Sequence, residues 1–344
     1  MKTPPSLPKT MQVIALTEPG GPDKLQAEDR PVPKPKAGQI LIETAAAGVN
    51  RPDVLQRQGL YKPPAGASDV LGLEVAGHVV ALGEGVNQWQ IGDRVCALCH
   101  GGAYATFVAV DARHVLPVPD TMKLDDAACL PEALFTVWAN LFDDGGLQPD
   151  QTTLIHGGSS GIGTIAIQMA KLIGAKTIVT VGHDDKAMLC GNLGAVHAIN
   201  YNQQDFVEEI DAITDGLGVH VVLDMVGGAY VNRNLRCLRP HGRHVSIAFQ
   251  DGHKAEIDLR LIMGRRLRLT GSLLRPRSAD EKAEICTEIA QNIWPAVIDG
   301  KIKPVIFERF TLAEAAAAHK VMDSGEMHGK LLLINRLEHR DEAP

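Results

Sequence analysis

The stretch Thr153-Leu154-Ile155-His156-Gly157-Gly158-Ser159-Ser160-Gly161-Ile162-Gly163 decides the fold. Its first four residues read as a short buried strand. The glycines make a loop, and Ile162, Ile165, Ala166, Met169, Ala170 and Ile173 then recur at helical spacing until Gly174 stops the helix. Glycines let the backbone approach a pyrophosphate, whose charge is met by N–H groups at the helix N-terminus. The G-x-G-x-x-G form is imperfect, because Ser160 stands where the middle glycine belongs, though its hydroxyl is still a donor. A glycine-rich turn alone is weak evidence. Placed between a strand and a helix, it reads as a dinucleotide site.

The same period continues downstream. Strands are expected over 177–181, 196–199, 219–225, 244–248 and 267–270, with a helix over 186–193. This alternation predicts an α/β domain with a doubly wound parallel sheet. Beyond Leu274 come a helical stretch to Trp294, an Ala-rich helix over 312–322 and a strand over 330–334. Upstream the texture differs. Short β-branched runs over 39–44, 75–80, 93–95 and 104–108 are punctuated by Gly and Pro, which suggests a small barrel-like β unit.

Which nucleotide binds is decided about 20 residues past the loop, where an acidic residue would accept from the ribose of NAD. Gly182 stands there instead and Lys186 follows closely, which favours NADP(H), although Asp184 and Asp185 offset that charge. The loop also fits short-chain dehydrogenases, which carry a Tyr-x-x-x-Lys pair. Here Tyr61, Tyr104, Tyr201 and Tyr230 are followed four residues on by Ala65, Val108, Asp205 and Asn234, so that family is excluded.

The chain has 344 residues, enough for two domains, and 45% of them are apolar. Its net charge of −7 argues against nucleic acid or an anionic membrane as partner. No apolar run approaches the ~18 residues of a membrane span. Residues 1–10 read as a disordered lead without the apolar core of a signal peptide. Six cysteines give no disulfide framework and point to a reducing cytoplasm. Cys96-Ala97-Leu98-Cys99-His100 matches a haem-attachment motif, but it adjoins a strand and lacks an export signal, so it reads as two cysteines beside a strand.

Further matches run nearly end to end. They include Ala47-Gly48-Val49-Asn50-Arg51-Pro52-Asp53, Arg57-Gln58-Gly59-Leu60-Tyr61, Gly72-Leu73-Glu74-Val75-Ala76-Gly77 and Gly92-Asp93-Arg94-Val95. Asn200-Tyr201, Gly271-Ser272-Leu273-Leu274-Arg275 and Gly329-Lys330 follow. With these motifs the chain resembles the zinc-free quinone oxidoreductases (zeta-crystallin type) of the medium-chain dehydrogenase/reductase superfamily. Arg57–Tyr61 and Ser272–Arg277 look most like its tumour-suppressor-inducible branch.

The resemblance implies a GroES-like β-barrel catalytic domain over 11–133 and 271–344, flanking a Rossmann domain over 134–270. Zinc members of the superfamily hold their catalytic metal where this chain has Asn50 and Leu73, which cannot replace thiolate or imidazole, so no metal is expected. Without a Lewis acid the substrate should already be electron-poor, a quinone or an enone. Carried over by position, Ser159, Ser160, Gly161, Ile162 and Gly163 cradle the pyrophosphate of NADPH. Gly182, His183, Lys186 and Tyr201 surround its 2′-phosphate. Thr136, Ala248, Phe249, Ser272, Leu273 and Leu274 line the nicotinamide. Asn50 and Tyr61 are the expected catalytic hydrogen-bond donors to the developing oxyanion. A homodimer is implied as well. Three alternatives stand beside quinone reduction: an alkenal or enone double-bond reductase on the same scaffold, a non-catalytic NADPH-binding protein, and a zinc dehydrogenase, which one bound Zn²⁺ per chain would revive.

Overall fold

The computed structural model describes residues 7–335, which divide into two compact units. The first takes the described residues up to Glu132, then Arg275–Trp294 and the residues from Pro304 onward. The second takes Ala133–Leu274 and Pro295–Lys303. The expected C-terminal return over 271–344 is therefore interrupted, since 271–274 and 295–303 cluster with the second unit. The lead expected over 1–10 lies, for residues 1–6, outside the described residues, and Thr10 already opens a strand.

In the first unit, β1 (Thr10–Leu16) and β2 (Leu25–Pro31) pair as an antiparallel ribbon. β3 (Gln39–Val49), β4 (Glu74–Leu82), β5 (Arg94–Leu98), β6 (Phe107–Asp111) and β7 (Val115–Pro117) follow. In the second unit come β8 (Thr152–His156), β9 (Lys176–Val181), β10 (His197–Asn200), β11 (Val219–Asp224), β12 (Leu238–Ser246) and β13 (Arg268–Gly271). β14 (Ile306–Thr311) and β15 (Lys330–Ile334) return to the first unit.

The first unit's main sheet has the order β14-β15-β3-β4-β5-β7, with β6 also on β3. Ile40, Ile42, Val75, Val79, Val95, Leu331 and Leu333 fill its core. The run expected over 104–108 splits, for a local reason. Ile14 N donates to Tyr104 O at 2.8 Å and Ala105 bridges Val13, so this part is held by β1, and the ladder with β3 begins at Phe107.

The second unit's sheet, β10-β9-β8-β11-β12-β13, is parallel in every pairing. Central strands of such a sheet are covered on both faces and so read as continuous apolar runs. β11, Val-His-Val-Val-Leu-Asp, is buried at every position but His220. The helices Gly161–Leu172 and Asp184–Leu193 follow β8 and β9. No helix among the described residues is long and apolar enough to cross a membrane.

Candidate functional site

β8 ends at His156, and the chain turns through Gly157 at φ 67° into the helix Gly161–Leu172. A Cβ on Gly158 would come 2.5 Å from Val179 Cβ, and one on Gly163 2.4 Å from Gly157 O. The loop is thus folded down onto the sheet too tightly for any other residue at either place. Ser160 is the helix N-cap, its Oγ accepting from Gly163 N at 3.0 Å. That contact uses a lone pair and leaves the hydroxyl proton available to donate. The first-turn amides of Gly161 and Ile162 have no carbonyl behind them in the helix and lie at its positive end. Such a helix start presents N–H donors of the kind that meet an anion, and Ser159 beside it is buried.

Beneath the loop runs a buried polar chain that the sequence did not announce. His156 Nδ1 meets Thr180 Oγ1 at 2.9 Å, and its Nε2 meets Asn234 Oδ1 at 2.7 Å. An amide oxygen only accepts, so Nε2 carries the proton and Nδ1 accepts from the threonine. Asn234 Nδ2 lies 3.3 Å from His244 Nε2, which lies 3.1 Å from Asp224 Oδ2. Asp224 in turn accepts from Val226 N at 2.7 Å and Gly227 N at 3.2 Å. The glycine loop and the turn after β11 are thereby tied together through the sheet.

At the end of β9, a Cβ on Gly182 would come 2.8 Å from the Tyr201 hydroxyl, while Asn202 Nδ2 donates to Gly182 O at 2.7 Å. Gly182 and Tyr201 are thus brought together, with His183 exposed beside them and Lys186 half-buried one turn on. Asp184, counted against a phosphate, accepts from Asn200 Nδ2 at 2.6 Å, which ties one of the two acidic side chains to the strand end.

The residues expected around a nicotinamide also meet in part. Asn140, in the π-helical turn Trp138–Asp144, donates to Thr136 O at 2.9 Å and accepts from Ser272 Oγ at 2.8 Å. Asn140 thus joins two expected site residues far apart in the chain, and no motif pointed to it. Ala248 is half-buried and Phe249 is exposed, close over Gly227, where a Cβ would come 2.9 Å from Phe249 Cβ. Leu273 is exposed and Leu274 buried.

In the first unit, Asn50 caps the helix Arg51–Arg57, with its own N–H bonded to Asp53 Oδ2 at 2.9 Å. Its side chain does not match the expected role. Asn50 Nδ2 donates to Glu74 Oε1 at 3.0 Å and to Gly48 O at 3.5 Å, and Oδ1 accepts from Lys330 Nζ, which also pairs with Glu74. An amide with its donors directed to a buried carboxylate and a backbone carbonyl is not free to stabilise a substrate oxyanion, so Asn50 becomes part of the support. Leu73 is buried in the core. Among the described residues no group of three His, Cys, Asp or Glu is placed to hold a metal ion.

The support is strongly polarised. Burial opposes the Lys330 ammonium, but Glu74 and more distant negative groups carry its pKa above the lysine norm. Burial, then the neighbouring Glu74, pushes the Glu132 carboxyl up to about 8, and burial lifts Asp53 to about 6. Cys96 and Cys99 are buried free thiols whose pKa values burial raises, so both keep their protons at neutral pH.

Tyr61 is half-buried, with the Arg275 guanidinium carbon 5.7 Å from its ring centre. Burial raises its pKa further, so the phenol keeps its proton. Neither Arg275 nor Glu132 was singled out as a site residue; each owes its place to contacts with distant segments.

Two family models match the chain, an alcohol dehydrogenase GroES-like domain over residues 36–120 and a zinc-binding dehydrogenase over 161–290. Quinone oxidoreductase 1 of Escherichia coli is 34% identical over 322 residues, which cover 92% of this chain and 97% of that protein. A 2-haloacrylate reductase of a Burkholderia species is 34% identical over 325 residues, covering 92% and 96%. The chain also matches a phenolphthiocerol/phthiocerol polyketide synthase of Mycobacterium tuberculosis at 32% identity over 320 residues, but spans only 14% of the length of that polypeptide. The crystal structure of E. coli quinone oxidoreductase complexed with NADPH superposes with a TM-score of 0.84 at 33% identity, over 94% of this chain and 99% of that one. The glycine loop, the parallel sheet behind it and these full-length similarities agree: the chain belongs to the quinone oxidoreductases of the medium-chain dehydrogenase/reductase superfamily.

Proposed function

We propose that this chain is an NADPH-dependent oxidoreductase that reduces quinones or other electron-poor carbonyl compounds without a metal. The observation that carries this is the side-chain set at two positions. Asn50 is bound into the Glu74–Lys330 pair and Leu73 into the core, so neither offers a ligand to polarise an unactivated carbonyl. NADPH, when bound, supplies the hydride. The Gly161 and Ile162 amides with Ser159 and Ser160 hold its diphosphate, Gly163 lets the loop close beneath it, and Gly182, His183, Lys186 and Tyr201 receive the ribose phosphate. The Thr136–Asn140–Ser272 chain, with Ala248, Phe249, Leu273 and Leu274, orients the ring. Tyr61 donates a hydrogen bond to the acceptor oxygen, and water returns the proton.

Steady-state NADPH oxidation tests this with an ortho-quinone, a para-quinone and a medium-chain enal. Brisk quinone turnover is expected, whereas equally brisk reduction of acetaldehyde to ethanol would overturn the metal-free mechanism. The 2-haloacrylate reductase similarity favours a second reading, reduction of an activated double bond, which the enal reports. Tight NADPH binding with no oxidation by any acceptor would leave only a binding protein. Binding constants for NADPH and NADH, with Lys186→Ala alongside, test the nucleotide preference, which that substitution should narrow.

We also propose a homodimer in the cytoplasm. β13 lies at the sheet edge and is exposed throughout, with Met263 78% and Leu273 50% exposed nearby. An open edge of this kind is suited to pair with its counterpart. The cytoplasmic placement is supported by six buried, free cysteines. Sedimentation of the purified chain at twice the monomer mass is the expected outcome.

A further inference from the structure

Two cations enter the interior of the first unit beside Tyr61. Arg275 is 5% exposed and Lys282 4%. Arg275 Nη1 donates to Gln56 Oε1 at 2.7 Å and Nη2 to His100 O at 3.2 Å. Lys282 Nζ donates to Arg275 O at 2.7 Å and meets His100 Nδ1 at 3.3 Å. All four acceptors are neutral, because burial and the two cations drive the His100 pKa down to about 4. Arg275 Nε is buried and has no partner among the described residues.

Elsewhere in this unit the buried cations have carboxylates in contact, Arg57 with Asp323 and Lys330 with Glu74. Asp53 and Glu132 act on Arg275, and Glu132 and Glu281 on Lys282, only from beyond hydrogen-bonding contact. Buried cations whose contacts are all neutral are expensive to fold, and a ligand bringing the opposite charge would offset that cost. The pair sits just under accessible surface, since Tyr61 is half-buried, its ring facing Arg275, and His100 is exposed. Arginine's planar fork suits a carboxylate-like anion, and Nε is the donor left to complete it.

We propose that Arg275, backed by Lys282, forms an anion-accepting subsite next to Tyr61, and that the preferred acceptors are quinones or activated alkenes bearing a carboxylate-type group. This rests on Tyr61 contacting the acceptor and deepens the function proposed above. The anion only binds, so the hydride and proton traffic is unchanged.

Two measurements test it. NADPH oxidation is followed with ortho-naphthoquinone and with its ring sulfonate, and binding of naphthalene sulfonate and the neutral sulfonamide is titrated at equilibrium. The wild type should favour the sulfonate quinone by at least ~10-fold in kcat/KM and bind the sulfonate at least ~10-fold tighter. Arg275→Gln should bring both ratios near one, and Lys282→Gln should lower them partway. Equal preference in the wild type overturns the subsite, a result that needs no variant to fold. A uniform loss on both quinones in Arg275→Gln makes the arginine purely structural and also overturns it. If neither quinone is reduced, the quinone-reductase function falls, while the titration still decides the subsite. If both are reduced equally and the sulfonate binds no tighter, the subsite alone falls.

Discussion

Lys330 and Glu74, 256 residues apart in sequence, form an ion pair with side chains 5% and 0% exposed, and the Asn50 amide bridges them. The pair ties β15, which is antiparallel to β3, to the first residue of β4.

Removing one member leaves the other charged in the interior. Lys330→Met should cost about 3–5 kcal/mol of unfolding free energy in urea titration. The double variant Glu74→Gln/Lys330→Met should cost less than the sum of the single variants. Additive losses would mean that the two charges are not coupled.

Gly182 keeps open the space beside the Tyr201 hydroxyl, 2.8 Å from where a Cβ would stand. Gly182→Ala should weaken NADPH binding roughly tenfold in a fluorescence titration. The melting temperature should hardly move, because only the far end of the tyrosine must shift. Unchanged affinity would take Gly182 out of the nucleotide site.

Asn234 links His156 under the glycine loop to His244 and Asp224. Asn234→Leu leaves these buried groups unpaired, at a cost of about 1–3 kcal/mol in stability. The NADPH dissociation constant should rise as well, since both loops tied by the chain lose their anchor. A stability loss with unaltered NADPH affinity would limit the chain to a structural role.

Glu132 gives stability a pH dependence. Its pKa is raised from 4.5 to about 8 by burial, then by Glu74, so the folded chain keeps a proton that the unfolded chain releases. Its stabilising share is complete below the unfolded value and is lost as pH rises toward the folded one. Urea unfolding at about pH 5 and about pH 8 should show the wild type losing stability between them and Glu132→Gln losing less. Parallel losses in both proteins would remove Glu132 as the cause.

The nucleotide half of the protein was legible because its signals are local. A strand, a glycine loop and an apolar helical stripe lie within 152–172, and backbone geometry alone turns them into a tight strand–loop–helix turn with a capped helix start. The absence of zinc ligands at Asn50 and Leu73 was equally plain, since residue type is enough to deny a thiolate or an imidazole. Contacts over long sequence separations carry no such signal. Asn50 read as a catalytic amide until Lys330 and Glu74 closed around it, and Asn140 gained meaning only through Ser272. The same holds for Arg275, whose neutral contacts exist only once Gln56, His100 and Lys282 are packed about it. Local patterns state what a segment of backbone can do; the charge a side chain faces depends on which distant segments exclude water from it, and only the folded chain sets that.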